Sequence, residues 1–175
     1  MKRALVFNLA NALIFQLGWF VCILGGSLLA AVFTTIIFAT HFFLVNRRVD
    51  DLIAVVLAVV LGLVHDLLLI HTGHIQFVES AQLPPLWLMC LWALLGITLN
   101  HSLQWIYYRP LWSSLLGAVF APLSYLAGVA LSSAEWSSPL IEVLPIIAAL
   151  WLIILPLHRF LSLRISSYVQ HKTTI

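Results

Sequence analysis

Every Lys and Arg of this chain falls on one side of a series of six apolar runs. Lys2 and Arg3 precede the first run, Arg47 and Arg48 lie between the second and third, and Arg109 lies between the fourth and fifth. Arg159, Arg164 and Lys172 close the sixth. The intervening connections, around residues 25–27, 71–85 and 132–139, carry no Lys or Arg. Basic residues are held on the cytoplasmic side during insertion, so the pattern specifies a multi-pass membrane protein with both termini inside.

Composition excludes the main alternative. Hydrophobic residues make up 63% of the 175 and charged residues 8%, against roughly 25% charged in a soluble domain. The net charge of +2 comes from the inner connections and forms no run dense enough to bind nucleic acid. Cys22 and Cys90 both sit inside apolar runs and read as buried thiols.

The runs cover about 4–24, 28–45, 52–70, 86–107, 111–131 and 140–161. At 1.5 Å per residue each matches a hydrocarbon core about 30 Å thick. The first has no small-residue cleavage site and reads as a retained helix. The expected fold is an all-α bundle of six transmembrane helices over residues 1–161. Residues 162–175 form a short cytoplasmic tail.

In lipid, contact faces are marked by small residues and by polar residues that need partners. Ala54, Ala58, Gly62 and Asp66 follow one another at four-residue spacing, a small-residue strip ending in a carboxylate. Facing acyl chains would cost Asp66 at least about 2.5–3.5 kcal/mol, so it is expected to face the bundle. His65, one residue earlier, is expected about 100° away around the helix. Asn8, Asn11, Phe15, Gln16 and Trp19 read as one arc of the first run, and Trp92, Gly96, Asn100 and Gln104 as a ladder down the fourth. The fifth offers Gly117, Ala121, Ser124 and Gly128, with Tyr125 at the margin and a kink at Pro122.

By depth these residues form two layers. Asp66, Gln16, Trp19, Trp92, Ser124 and Tyr125 form a candidate ligand site in the outer half. Asn11, Asn100 and Ser102 in the inner half read as interhelical hydrogen-bond partners. His65, Asp66, His71 and His74 were weighed as a metal set, but Gly73 interrupts the helical spacing of His71 and His74, so no metal or cofactor is expected. His41 is expected at the membrane interface, and His158, beside Arg159, in solvent. No nucleophile elbow, phosphate loop or dinucleotide fingerprint is present, and no catalytic residue is assigned.

Several of these stretches carry a family resemblance. Asn11-Ala-Leu-Ile-Phe15-Gln16-Leu-Gly-Trp19, the 62–66 segment, Pro85-Leu-Trp87 with Leu91-Trp92, Asn100-His-Ser102-Leu-Gln-Trp105, and Ala121-Pro122-Leu123-Ser124-Tyr125-Leu126-Ala127-Gly128 resemble bacterial inner-membrane proteins grouped as domain of unknown function 2878. Ala121 stands where that pattern has Gly. The resemblance implies a compact multi-pass protein of Gram-negative bacteria associated with lipid-modifying enzymes, and no known reaction. The function expected is binding or transport of a small or lipidic molecule within the bilayer. The alternatives are an integral-membrane lipid-modifying enzyme, or an anchor for a soluble lipid enzyme.

The charge asymmetry predicts that cysteines placed at Ser80 or Ser137 are labelled from outside intact spheroplasts, whereas one at Asn46 is not. The reverse pattern inverts the topology.

Overall fold

Gly26 folds the first long helix back on itself. In the computed structural model, which describes residues 2–46, 48–79 and 82–173, α1 (Lys2–Leu44) is helical throughout except at this glycine, with φ 68° and ψ −178°. Arg47 and Ser80, used above to argue topology, lie outside the described residues. The Phe7 and His41 rings come within 6.2 Å of each other. A straight helix would hold those residues about 50 Å apart. The two arms of α1, residues 2–25 and 27–44, therefore run antiparallel and correspond to the first two apolar runs.

The remaining helices are α2 (Arg48–His71), α3 (Leu86–Leu99), α4 (Gln104–Tyr107), α5 (Pro110–Leu131) and α6 (Leu140–Thr173). α1, α2, α5 and α6 are long and apolar enough to cross a membrane. Their outer faces are lined with exposed Leu, Val, Ile and Phe, as contact with lipid requires. α3 differs: its 14 residues span about 21 Å, and it is apolar on all sides and mostly buried. It is the central helix, packed between α1 and α2.

Three features alter or complete the sequence reading. The fourth apolar run breaks at Asn100, so Asn100 and Gln104 do not continue the helix face of Trp92 and Gly96. The Thr98 carbonyl takes the amides of both His101 (3.0 Å) and Leu103 (2.9 Å), which tightens and ends α3. Second, α6 continues through residues 162–173 with Pro145 and Pro156 inside it. Third, two connections form strands. β1 (Ile75–Phe77) and β2 (Ala134–Trp136) pair antiparallel, Ile75 opposite Trp136 and Phe77 opposite Ala134. The pairing satisfies backbone groups at the bundle end, and Ile75 and Phe77 turn inward to cap the core.

Helix order around the bundle is α1, α3, α2, α6, α5, with each packed on the next. Close approach depends on small residues. A Cβ on Gly96 would lie 2.6 Å from the Val55 Cα, and one on Gly117 would lie 3.2 Å from the Trp151 carbonyl oxygen. α1 and α5 meet only sparsely, so the ring of helices stays open between them.

Gly26 occupies a backbone region that L-residues avoid, at a cost of about 1–3 kcal/mol. Gly26→Ala is expected to lower stability by that amount in a detergent unfolding titration, although the site has room for a methyl group. An unchanged midpoint would mean the reversal does not rest on this residue.

Candidate functional site

α2 carries a buried aspartate near each end, Asp51 and Asp66, both 1% exposed. They are fifteen residues apart, about 22 Å along the helix. Each is the acceptor for donors from other helices, which divides the polar interior into two layers.

In the outer layer, Trp92 Nε1 donates to Asp66 Oδ2 at 2.8 Å, and the Tyr125 hydroxyl donates to Oδ1. His65 Nδ1 is 2.9 Å from the same Oδ1 and 3.1 Å from the Tyr125 hydroxyl. α2, α3 and α5 thus meet on one carboxylate. Gly62, one turn before Asp66, makes the contact with Trp92 feasible, because a Cβ there would fall inside the indole ring. The small-residue strip therefore clears space for the ring that satisfies its own carboxylate.

His65, about 100° around α2 from Asp66, is buried as well. α2 is enclosed by α3 on one side and α6 on another, so two side chains 100° apart can both face inward. The imidazole packs behind Trp92, Tyr125 and Trp151, with ring centroids at 5.8, 5.3 and 6.3 Å. Its Nε2 is buried without a hydrogen-bond partner, as is Nε1 of Trp151. In the tautomer whose Nδ1–H donates to Asp66, Nε2 is a free acceptor. Unmet polar atoms in a dry interior are costly and mark a place where a ligand group or water gains a bond.

Trp92, Tyr125 and Trp151 also form one wall of a cavity of about 650 Å³ between α1 and α5. The Trp92 and Trp151 rings stack at 5.2 Å and 17°. Phe15, Leu95, Leu116, Phe120 and Leu155 are among the residues that complete an apolar lining, with a polar corner at Tyr125 and Ser124. Trp19 Nε1 donates to Ser124 Oγ at 3.0 Å and closes the cleft at that level. Pro122 lies inside α5 one turn from Tyr125.

Of the residues assigned to the outer site, the structure brings together Asp66, Trp92 and Tyr125, with Trp19 and Ser124 forming a neighbouring pair. Gln16 is not among them. It is on the exposed side of α1, about 140° around the helix from Asn11, and the buried face there is set by Asn11, Gly18 and Cys22.

In the inner layer Asn11 Nδ2 donates to the Ile97 carbonyl (3.2 Å) and its Oδ1 accepts from the Ser102 hydroxyl (2.6 Å), which fastens α1 to the end of α3. Asn100 Nδ2 donates to Asp51 Oδ1 at 3.0 Å. Asp51 Oδ2 is 3.0 Å from His41 Nε2 and 2.8 Å from His101 Nε2. His41, in the last turn of α1, is buried among these partners. His158 is likewise buried, with Nε2 donating to the Ala54 carbonyl (2.9 Å) and Nδ1 accepting from Tyr107 (2.8 Å). Arg159, its neighbour, stays at the surface over the Tyr108 ring at 3.7 Å. Sequence adjacency to an arginine was therefore a poor guide to His158. Cys22 and Cys90 are buried free thiols.

Among the described residues, four helices long and apolar enough to span a bilayer, enclosing buried carboxylate networks, are consistent with a helical membrane protein. The chain belongs to the family described as protein of unknown function DUF2878, whose model matches residues 8–157. The match extends well into α6, beyond the stretches that carried the resemblance in sequence. No curated protein and no solved structure matches the chain.

Gly62→Ala is expected to displace the Trp92 indole from Asp66 and cost about 1–3 kcal/mol, the range for overpacking a closed interior. The checks are a detergent unfolding midpoint and a shift in tryptophan emission. Loss of stability without a change in emission would show that Trp92 stays in place.

Proposed function

We propose that this protein spans a bacterial inner membrane six times, with both termini cytoplasmic, and takes a lipidic or small apolar molecule into the cleft between α1 and α5. The span count is supported by the reversal at Gly26, which divides α1 into two membrane-length arms, and by the exposed apolar faces around the bundle. The orientation is supported by the sequence pattern that puts every Lys and Arg on one side of the series of apolar runs.

One observation carries the ligand reading: the 650 Å³ cavity is nearly all apolar, with Ser124 and Tyr125 side by side in its lining. That volume falls in the range of small-molecule sites, roughly 300–1,000 Å³, and the division into apolar body and polar corner is how such sites orient a ligand. The mouth lies between two helices whose outer faces meet lipid, so a hydrocarbon chain can enter without crossing water. A hydroxyl or amide on the ligand would meet Ser124 and Tyr125. Behind them, Asp66 and His65 hold Tyr125 in orientation. A second reading, modification of a lipid with Asp66 and His65 as acid and base, is favoured by their 2.9 Å contact beside this cavity.

Native mass spectrometry of the full chain in mild detergent is expected to show a retained lipid-like molecule. Leu116→Trp, which fills the cavity, should remove it, and Asp66→Leu should give an inserted protein that fails to retain it. Equal retention by wild type and Leu116→Trp would overturn the cleft as the binding site. A chemically altered lipid that depends on both Asp66 and His65 would select the enzyme reading.

A further inference from the structure

At the basic end of the bundle, three side chains from three separate elements converge on one point. His41 comes from the last turn of α1, Asp51 from the first turn of α2, and His101 from the turn after α3. One ligating atom from each, the two imidazole Nε2 atoms and a carboxylate oxygen, lie within 4.8 Å of one another. Among the described residues, this is the group of His, Cys, Asp and Glu side chains close enough to share one ion. We propose that it is a binding site for a first-row divalent transition-metal ion, with zinc as the best-matched occupant.

The donor chemistry fits. Two imidazoles and one carboxylate are the ligand set of open zinc sites and of facial iron(II) sites, whereas calcium and magnesium prefer oxygen alone. The distances fit as well. Ligand atoms around a tetrahedral zinc, about 2.1 Å from the metal, are about 3.4 Å apart. The observed Nε2–Oδ2 separations of 2.8 and 3.0 Å need to open by only about half an ångström, a small side-chain rotation.

The surroundings are those of a positioned ligand set. Asp51 is held from behind by Asn100, whose Nδ2 donates to Oδ1 and leaves Oδ2 to face the two histidines. An outer partner of this kind fixes a ligating carboxylate in orientation. Phe7 packs edge-on against His101 at 5.1 Å, and the two imidazoles lie 5.1 Å apart at 75°. Three ligands leave a fourth position open. Asp51 and His101 line a cavity of about 590 Å³ with Asn8, Gln104 and Arg159, so that position faces polar groups and a cation that can meet an anionic ligand. This is a different space from the apolar cleft, at the other end of α2.

The test uses the full chain in detergent, stripped with a chelator and titrated with cobalt(II), whose visible absorption reports its ligands. The expected result is saturable absorption at one ion per chain, displaced by zinc. His101→Gln and Asp51→Asn should abolish it, Asn100→Ala should weaken binding by about 10–100-fold, and His65→Gln and His71→Gln should leave it intact. Zinc should also protect His101 of the wild-type protein from carbethoxylation, read by peptide mass spectrometry, which needs no variant to fold. Absence of saturable binding, binding unchanged in His101→Gln, or an unprotected His101 would each overturn the proposal and leave the three residues as a hydrogen-bonded group.

Discussion

Without water in the bilayer core, each buried polar atom must find its partner within the protein, and in this bundle that requirement centres on α2. Its two aspartates gather partners from α1 and the turn after α3 at one end and from α3 and α5 at the other. The consequence is architectural. Apolar side chains gain nothing by leaving lipid for a protein interior of equal polarity. Two carboxylates that each demand several donors fix which helices surround α2 and at what height. Small residues then decide how closely those helices approach, as Gly96 does against the Val55 backbone.

Much of this was legible in the sequence because the physics acts on composition. Segment lengths, the burial of Asp66 and the small-residue strip leading to it all follow from the cost of polar groups in hydrocarbon. Trp92 and Tyr125 could be named as partners since few other donors share that depth. What the sequence hid were relations between distant segments. His41, Asp51 and His101 come from three elements with no shared spacing, so no motif could join them. The break at Asn100 depends on a side chain leaving the helix for Asp51, which local preference does not reveal. Gln16 was misplaced because a helix arc drawn too wide crosses from the packed face onto the lipid face. His158 was misread for a related reason: a helix surrounded by neighbours has more than one buried side.

The two polar layers differ in what they leave unmet. At Asp51 each carboxylate oxygen has a protein partner, and the geometry is a converging set of ligand atoms. At Asp66 the carboxylate is satisfied too, but the groups that satisfy it bring unpaired atoms of their own, His65 Nε2 and, through the indole stack, Trp151 Nε1. The outer layer sits beside apolar space and the inner layer beside polar space. The same helix therefore presents two chemically distinct environments, and a substitution on one need not disturb the other at a separation of about 22 Å.

The short β1–β2 ladder bears on how the cleft can move. Its strands belong to the α2–α3 and α5–α6 connections, so it ties the half of the bundle containing α1, α2 and α3 to the half containing α5 and α6. Gln76 and Glu135 add a side-chain bond across it at 2.9 Å. Clipped together at that end and packed on each other through α2 and α6, where His158 bonds the Ala54 carbonyl, the halves are joined on one side of the bundle and open on the other. The gap between α1 and α5 is then the seam along which the ring of helices can part, and its basic end carries His41 and His101 on one side and Arg159 on the other.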